Sequence, residues 1–203
     1  MLQRFARTAR ETAVPDEERC EFCSELIPPQ HVHLLEVESR DILCACRACS
    51  ILFDRQEASL GKYRRIGERR LSLPEFKLDD VQWASLRLPV DMVFFFFSTP
   101  AARVMAYYPS PMGPTESLLK LQTWAEIVAN NPLLQDMEQD VEALLINRAR
   151  GARHTFLVPI DDCYRLVGLL RQQWRGFSGG PEVWQAIDAF FAQLAAQAEI
   201  VEV

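Results

Sequence analysis

The amino-acid sequence predicts an α+β fold in which a small cysteine-rich part precedes a larger domain. Five of the six cysteines lie between positions 20 and 49, and the strands and helices expected after residue 75 are grouped instead of alternating. A hydrophobic content of 49% and a charged content of 25% are those of an ordinary globular protein, which excludes global disorder. The 203 residues suffice for one large domain or two small ones.

The composition also bears on function. The longest apolar run, Met92–Phe97, is far shorter than the roughly 20 residues that a membrane span needs. The formal charge of −6 is unlike that of general nucleic-acid binders, whose domains are usually basic. The start of the chain lacks the apolar core of a secretory signal. We therefore expect a protein of the reducing cytoplasm, where clustered thiols are typical of metal ligands.

Short strands are expected around the cysteines. Partial alternation predicts a strand at 30–38, and segments 42–44 and 51–53 have the composition of two more. The basic segment 63–73 is expected to be extended. The segment between Cys23 and Cys46 has room for a short hairpin that would return the chain to the first cysteine pair.

The second part of the chain is expected to open with a buried hairpin. Its strands are the aromatic run at 90–97 and the segment 103–108, since their length and composition favour strands over a helix. The segments expected to follow are a helix at 115–130, a helix at 133–149, a strand at 155–160 and two helices that begin near Asp162 and Pro181.

Two pairs of cysteines have the spacing of metal knuckles. Cys20 and Cys23, like Cys46 and Cys49, are separated by two residues, so one tight turn can aim both sulfurs at a common ion. Four thiolates suit a closed tetrahedral zinc site, and the spacing is close to that of zinc ribbons. The predicted organisation is a flexible arm at 1–17, a zinc-ribbon-like module at 18–75, and an α+β domain at 76–203 with a short antiparallel sheet and about four helices.

Cys44 and the identity of the ion leave alternatives open. Cys44 lies two residues before Cys46, so it is either an alternate ligand or a strand residue packed under the knuckle. Iron would use the same thiolates, although rubredoxin-type knuckles usually carry glycine where Ser24 and Ser50 stand here. Unliganded thiols are the remaining interpretation.

His31 and His33 lie between the knuckles, and their spacing places both on one face of a strand. They could serve a metal, but four cysteines already complete a tetrahedral coordination sphere. We expect them to form a surface face beside the module, where they are candidates for contacting the ligands of the ion.

Two further segments are candidate binding sites. The first, a basic stretch, consists of Lys62, Arg64, Arg65, Arg69 and Arg70. It could contact phosphates, but Glu68 interrupts it, which favours a solvated face or the docking of an acidic protein partner. The polar groups of the second, a proline-rich loop, are Tyr108, Ser110, Thr115 and Ser117. A helix N-terminus there could hold an anion, although a rigid turn explains the loop without a ligand.

Several motifs together resemble one uncharacterised protein family. They are Cys20-Glu21-Phe22-Cys23, His31-Val32-His33, Cys44-Ala45-Cys46-Arg47-Ala48-Cys49, Tyr108-Pro109-Ser110-Pro111 and Asp161-Asp162-Cys163-Tyr164. We associate that family with gene neighbourhoods of actinobacterial-type, high-affinity nickel–iron hydrogenases, and the resemblance covers nearly the whole chain. It implies an accessory role near hydrogenase maturation, assembly or electron transfer, and it implies no particular activity.

Three functions are expected from these features. The leading one is an adaptor with a structural zinc site that docks a hydrogenase subunit or maturation factor. The alternatives are a rubredoxin-like iron electron carrier and a nucleic-acid-binding zinc-ribbon regulator that uses the basic stretch. No catalytic residue is predicted, because no Ser–His–acid or Cys–His arrangement can be argued from the sequence and Cys163 is expected in the core.

Overall fold

A computed structural model describes residues 18–117, 121–176 and 179–201, apart from the side chains of Gln56, Leu121 and Gln122. The arm predicted at 1–17 lies outside the described residues. Within them the chain forms two β-sheets together with helices, which confirms the α+β class.

The smaller sheet has three antiparallel strands and surrounds the cysteines. Strand β1 (Val32–Glu36) lies in the middle, between β2 (Ile42–Ala45) and β3 (Tyr63–Arg65). Two short helices, α1 (Arg47–Phe53) and α2 (Gln56–Ser59), connect β2 to β3. The predicted strands at 30–38 and 42–44 are confirmed, whereas the strand expected at 51–53 is wrong because those residues complete α1.

The larger sheet is much bigger than the short sheet that the sequence predicted. Its strands in chain order are β4 (Leu71–Ser72), β5 (Met92–Ser98), β6 (Arg103–Ser110), β7 (Gly113–Ser117), β8 (Glu142–Asn147), β9 (His154–Pro159) and β10 (Glu199–Ile200). They lie in the order β10-β4-β9-β8-β5-β6-β7. Neighbouring strands are antiparallel except for the parallel pair β10 and β4.

Helices cover both faces of this sheet. The remaining ones are α3 (Asp80–Ser85), α4 (Leu121–Asn130), α5 (Ile160–Gln173) and α6 (Gly180–Gln197), with 3-10 turns at Pro132–Asp136 and Ala149–Gly151. Four of the six α-helices in the described residues, α3 to α6, lie at 76–203, where about four helices were predicted. Phe94 and Phe96 of β5 pack in one core with α5 and α6, while Phe95 packs with Ile127 of α4 in the other. None of the helices in the described ranges is long and apolar enough to cross a membrane.

One predicted helix is wrong, and another ends at Asn130 as predicted but does not begin at Thr115. Thr115 lies in β7, where it pairs with Tyr108 of β6, so the described helix begins only at Leu121. The segment expected to be a helix at 133–149 contains β8, all six residues of which are buried. The predicted strand at 155–160 and the helices near Asp162 and Pro181 are confirmed.

The smaller sheet packs against the larger part of the molecule. Leu35 of β1 and Ile66 belong to the same core as α5 and α6. The Arg40 guanidinium lies 3.8 Å from the centroid of the Phe96 ring. Strand β4 already belongs to the larger sheet, shortly before the predicted boundary at residue 75. The division into two domains stays a prediction.

Candidate metal centre

Four cysteine sulfurs converge beside the smaller sheet. The Sγ atoms of Cys20, Cys23, Cys46 and Cys49 all lie within 4.8 Å of one another, and those of Cys23 and Cys46 are 3.8 Å apart. An ion held tetrahedrally by zinc–sulfur bonds of about 2.3 Å spaces its sulfurs about 3.8 Å apart. This four-cysteine cluster could therefore hold a metal ion.

The first knuckle is a tight turn closed by backbone hydrogen bonds. The Ser24 amide donates to the Cys20 carbonyl at 2.8 Å, and the Cys20 amide donates to the Glu25 carbonyl at 2.8 Å. Ser24 has φ of 63°, in the left-handed region that glycine occupies most easily. A serine in this left-handed conformation thus occupies the position where rubredoxin-type knuckles usually carry glycine.

The second knuckle is the start of helix α1. Cys46 is the N-cap, and its sulfur accepts a hydrogen bond of 3.5 Å from the Cys49 amide. Phe22 of the first knuckle stacks on Phe53 at the end of this helix, with ring centroids 4.5 Å apart. Tyr63 of β3 meets the Phe22 ring edge-on at 5.2 Å. Aromatic packing thus joins both knuckles to the sheet.

Hydrogen bonds and burial set the thiol acidities in opposite directions. Burial raises the pKa of the Cys20 thiol, but hydrogen bonds from the backbone of Cys46, Phe22 and Cys23 outweigh burial and lower it to about 6. Burial and the neighbouring thiols raise the pKa of Cys49. Metal ligands must be thiolates, so an ion entering this cluster displaces protons.

Cys44 does not belong to the four-cysteine cluster. Its sulfur lies instead with His31 and His33, from each of which a ring nitrogen is within 4.8 Å. His33 Nδ1 donates to Asp161 Oδ2 at 2.9 Å, although 128 positions separate the two residues. The two predicted histidines are therefore brought together with Cys44, and Asp161 is a neighbour that sequence reasoning missed.

Four of the five cations in the basic stretch are paired within the chain. The pairs are Lys62 with Glu36, Arg64 with Asp140, Arg69 with Glu142, and Arg70 with Asp162. The side chains of the last three acids are buried, so these pairs fasten the stretch to the larger part of the molecule. They also reduce the positive charge that it offers to nucleic-acid phosphates or an acidic protein, and binding of either stays a prediction.

The proline-rich loop is the turn of a β-hairpin. The Ser110 hydroxyl donates to the Gly113 carbonyl at 2.8 Å and lies 3.2 Å from the Thr115 hydroxyl. Tyr108 and Ser117 lie in the paired strands β6 and β7. Because no helix begins at Thr115, the anion site expected at a helix N-terminus there loses its physical basis.

The fold and the site define an α+β protein with a four-cysteine cluster that could hold a metal ion. The chain belongs to DUF5947, a family of unknown function whose model matches residues 19–198. Comparisons with curated proteins and with solved structures find no match. The resemblance to an uncharacterised family is thus confirmed, and its association with hydrogenase genes stays a prediction.

Proposed function

We propose that this protein is an accessory protein with a structural zinc site, which assists the maturation, assembly or function of a nickel–iron hydrogenase by protein–protein interaction. The observation that carries the zinc site is the convergence of four thiols from two knuckles. Structural zinc sites are closed by four protein ligands, typically cysteines on such knuckles. This favours a zinc-ribbon-like module that presents a stable surface to a partner.

The hydrogenase partner is proposed from the family resemblance, and co-purification tests it. The full chain, tagged and expressed in its native host under conditions that induce hydrogenase, is captured, and bound proteins are identified by mass spectrometry. We expect hydrogenase subunits or maturation factors to accompany the wild type and a Cys163→Ala control, which lacks a thiol outside the cluster. Cys46→Ser is expected to lose them together with its zinc. Capture without any hydrogenase component would contradict the proposal.

A rubredoxin-like iron electron carrier is the second candidate. Two observations favour it: Ser24, at the position where such knuckles usually carry glycine, has a left-handed backbone, and Cys23 is exposed, which would shorten the path of an electron to a partner. Iron held by four thiolates gives a visible charge-transfer absorption that bleaches on reduction. A colourless protein that contains only zinc when purified from its own host excludes this candidate.

A further inference from the structure

Three potential metal ligands lie on one face of the smaller sheet, outside the four-cysteine cluster. A ring nitrogen of His31, a ring nitrogen of His33 and the Cys44 sulfur lie within 4.8 Å of one another. His33 is directly opposite Cys44 in the β1–β2 pair, and opposite residues project to the same face. His31 precedes His33 by two residues and shares that face. The strand register therefore assembles these donors.

Hydrogen bonds to both imidazoles favour one ring nitrogen as the free donor. His33 Nδ1 donates to the Asp161 carboxylate at 2.9 Å, and His31 Nδ1 donates to the Pro28 carbonyl, also at 2.9 Å. With Nδ1 protonated, a neutral imidazole has its lone pair on Nε2. Histidines that bind metals are held in this way, by a carboxylate or a carbonyl behind the ring.

Around His31, His33 and Cys44 there are buried polar atoms for which the described part of the chain offers no hydrogen-bond partner. The His31 side chain is only 6% exposed, and its Nε2 has no hydrogen-bond partner among the described residues. The other Asp161 oxygen, Oδ1, is also buried without one. The two imidazoles meet edge to face, with centroids 4.9 Å apart. Since buried polar atoms are rarely unpaired in native proteins, His31 Nε2 points to a ligand.

We propose that His31, His33 and Cys44 bind a second divalent ion of the zinc class and leave its fourth coordination position open. Two imidazoles and one thiolate suit Zn²⁺. Three protein ligands with an open position are typical of zinc sites that bind water or an exogenous ligand, whereas four cysteines close a structural site. Both histidines and Asp161 line a cleft of about 910 Å³, from which such a ligand would approach.

Zinc content tests the second site directly. The tag-free full chain is loaded with zinc under reducing conditions, desalted and measured for metal per chain. We expect two ions in the wild type and in Cys163→Ala, and one in Cys44→Ser and in His31→Gln. One ion per chain in the wild type, or two ions per chain in both Cys44→Ser and His31→Gln, would overturn the proposal. Cobalt substitution shows whether each variant keeps the four-thiolate spectrum, so loss of the second ion is distinguished from damage to the first site.

The open position and the role of Asp161 have their own readouts. The absorption spectrum of the cobalt-loaded wild type minus that of cobalt-loaded Cys44→Ser isolates the ion at the second site. Added imidazole is expected to change this difference spectrum by binding at the open position. A difference spectrum that imidazole leaves unchanged would overturn the open position. Asp161 acts as a positioning residue, so Asp161→Asn should lower the affinity of the second site for its ion by about 10- to 100-fold. The affinity of the four-cysteine cluster should not change. If the wild type and this variant bind the second ion with equal affinity, Asp161 does not position His33 for that ion.

Discussion

At the residue scale, Arg69 shows how single contacts attach the basic stretch to the larger sheet. Its Nε donates to Glu142 Oε1 at 2.7 Å, and its Nη2 donates to Oε2 at 2.5 Å. The Glu142 side chain, at the start of β8, is only 4% exposed, and it also accepts the Glu138 amide at 2.8 Å. Paired bonds between guanidinium and carboxylate are strong and directional, so Arg69 positions the chain that leads into the larger sheet.

Replacing Arg69 by glutamine should therefore destabilise the protein. The variant leaves a buried carboxylate without its cation, but Arg69 itself is partly exposed to solvent. We expect a loss of roughly 2 kcal/mol in the free energy of unfolding, below the 3–5 kcal/mol of fully buried pairs. Urea denaturation measures this loss. Arg65→Gln, at an exposed position of the same stretch, is the matched control and should change stability by less than about 0.5 kcal/mol; equal losses would contradict the assigned role.

At the element scale, the sequence predicts a strand or helix well where local composition or spacing is distinctive. It predicts poorly where burial within the fold or an unusual cap decides the structure. The aromatic run was sufficient to predict strand β5, and the cysteine spacing was sufficient to predict the two knuckles. Strand β8 was mistaken for a helix because it lies between two cores with every residue buried, which removes the alternation that marks a half-exposed strand. Helix α1 was missed because its N-cap is a cysteine sulfur, a group outside the usual capping residues.

The sites show the same contrast. Spacing alone predicted which four cysteines converge, because the two residues between each pair confine both sulfurs to one turn. It could not assign Cys44 to the histidines, since that depends on the register of β1 against β2. Nor could it find Asp161, which reaches His33 only after α5 packs beside the smaller sheet.

Alanine substitutions at two glycines, one within α5 and one just before α6, should change the stability of the protein in opposite directions. Gly168 lies within α5, where an added Cβ meets no atom within 4 Å, so Gly168→Ala should stabilise the protein by about 0.5–1 kcal/mol. Gly179 has φ of 87°, and an added Cβ there would lie 2.7 Å from Val183 Cγ1. Gly179→Ala should destabilise by at least about 1 kcal/mol. Thermal denaturation measures both, and a shift of the two melting temperatures in the same direction would contradict these assignments.

At the scale of the whole molecule, the metal-binding part and the larger sheet differ in what holds them together. Within the described ranges, the buried apolar cluster around the knuckles consists of Cys20, Ile27 and Cys46, with partly buried neighbours, whereas β5 and β8 contribute to two extensive cores. So small a cluster stabilises little by burial alone. The order of the knuckles should therefore depend on the bound ion, while the larger sheet should persist without it.

Removing the metal should consequently loosen one part of the molecule selectively. After treatment with a strong chelator, we expect backbone amides at 18–30 and 44–54 to lose hydrogen-exchange protection, while β5 and β8 keep theirs, because metal binding supplies folding free energy only where its ligands lie. Acidification should release the metal and produce the same pattern, since protons compete with the ion for the thiolates, and stability of the knuckles is present at neutral pH and lost as pH falls. Cys46→Ser without chelator should reproduce it. Uniform loss of protection across the chain, or none near the cysteines, would show that the ion does not hold this part folded.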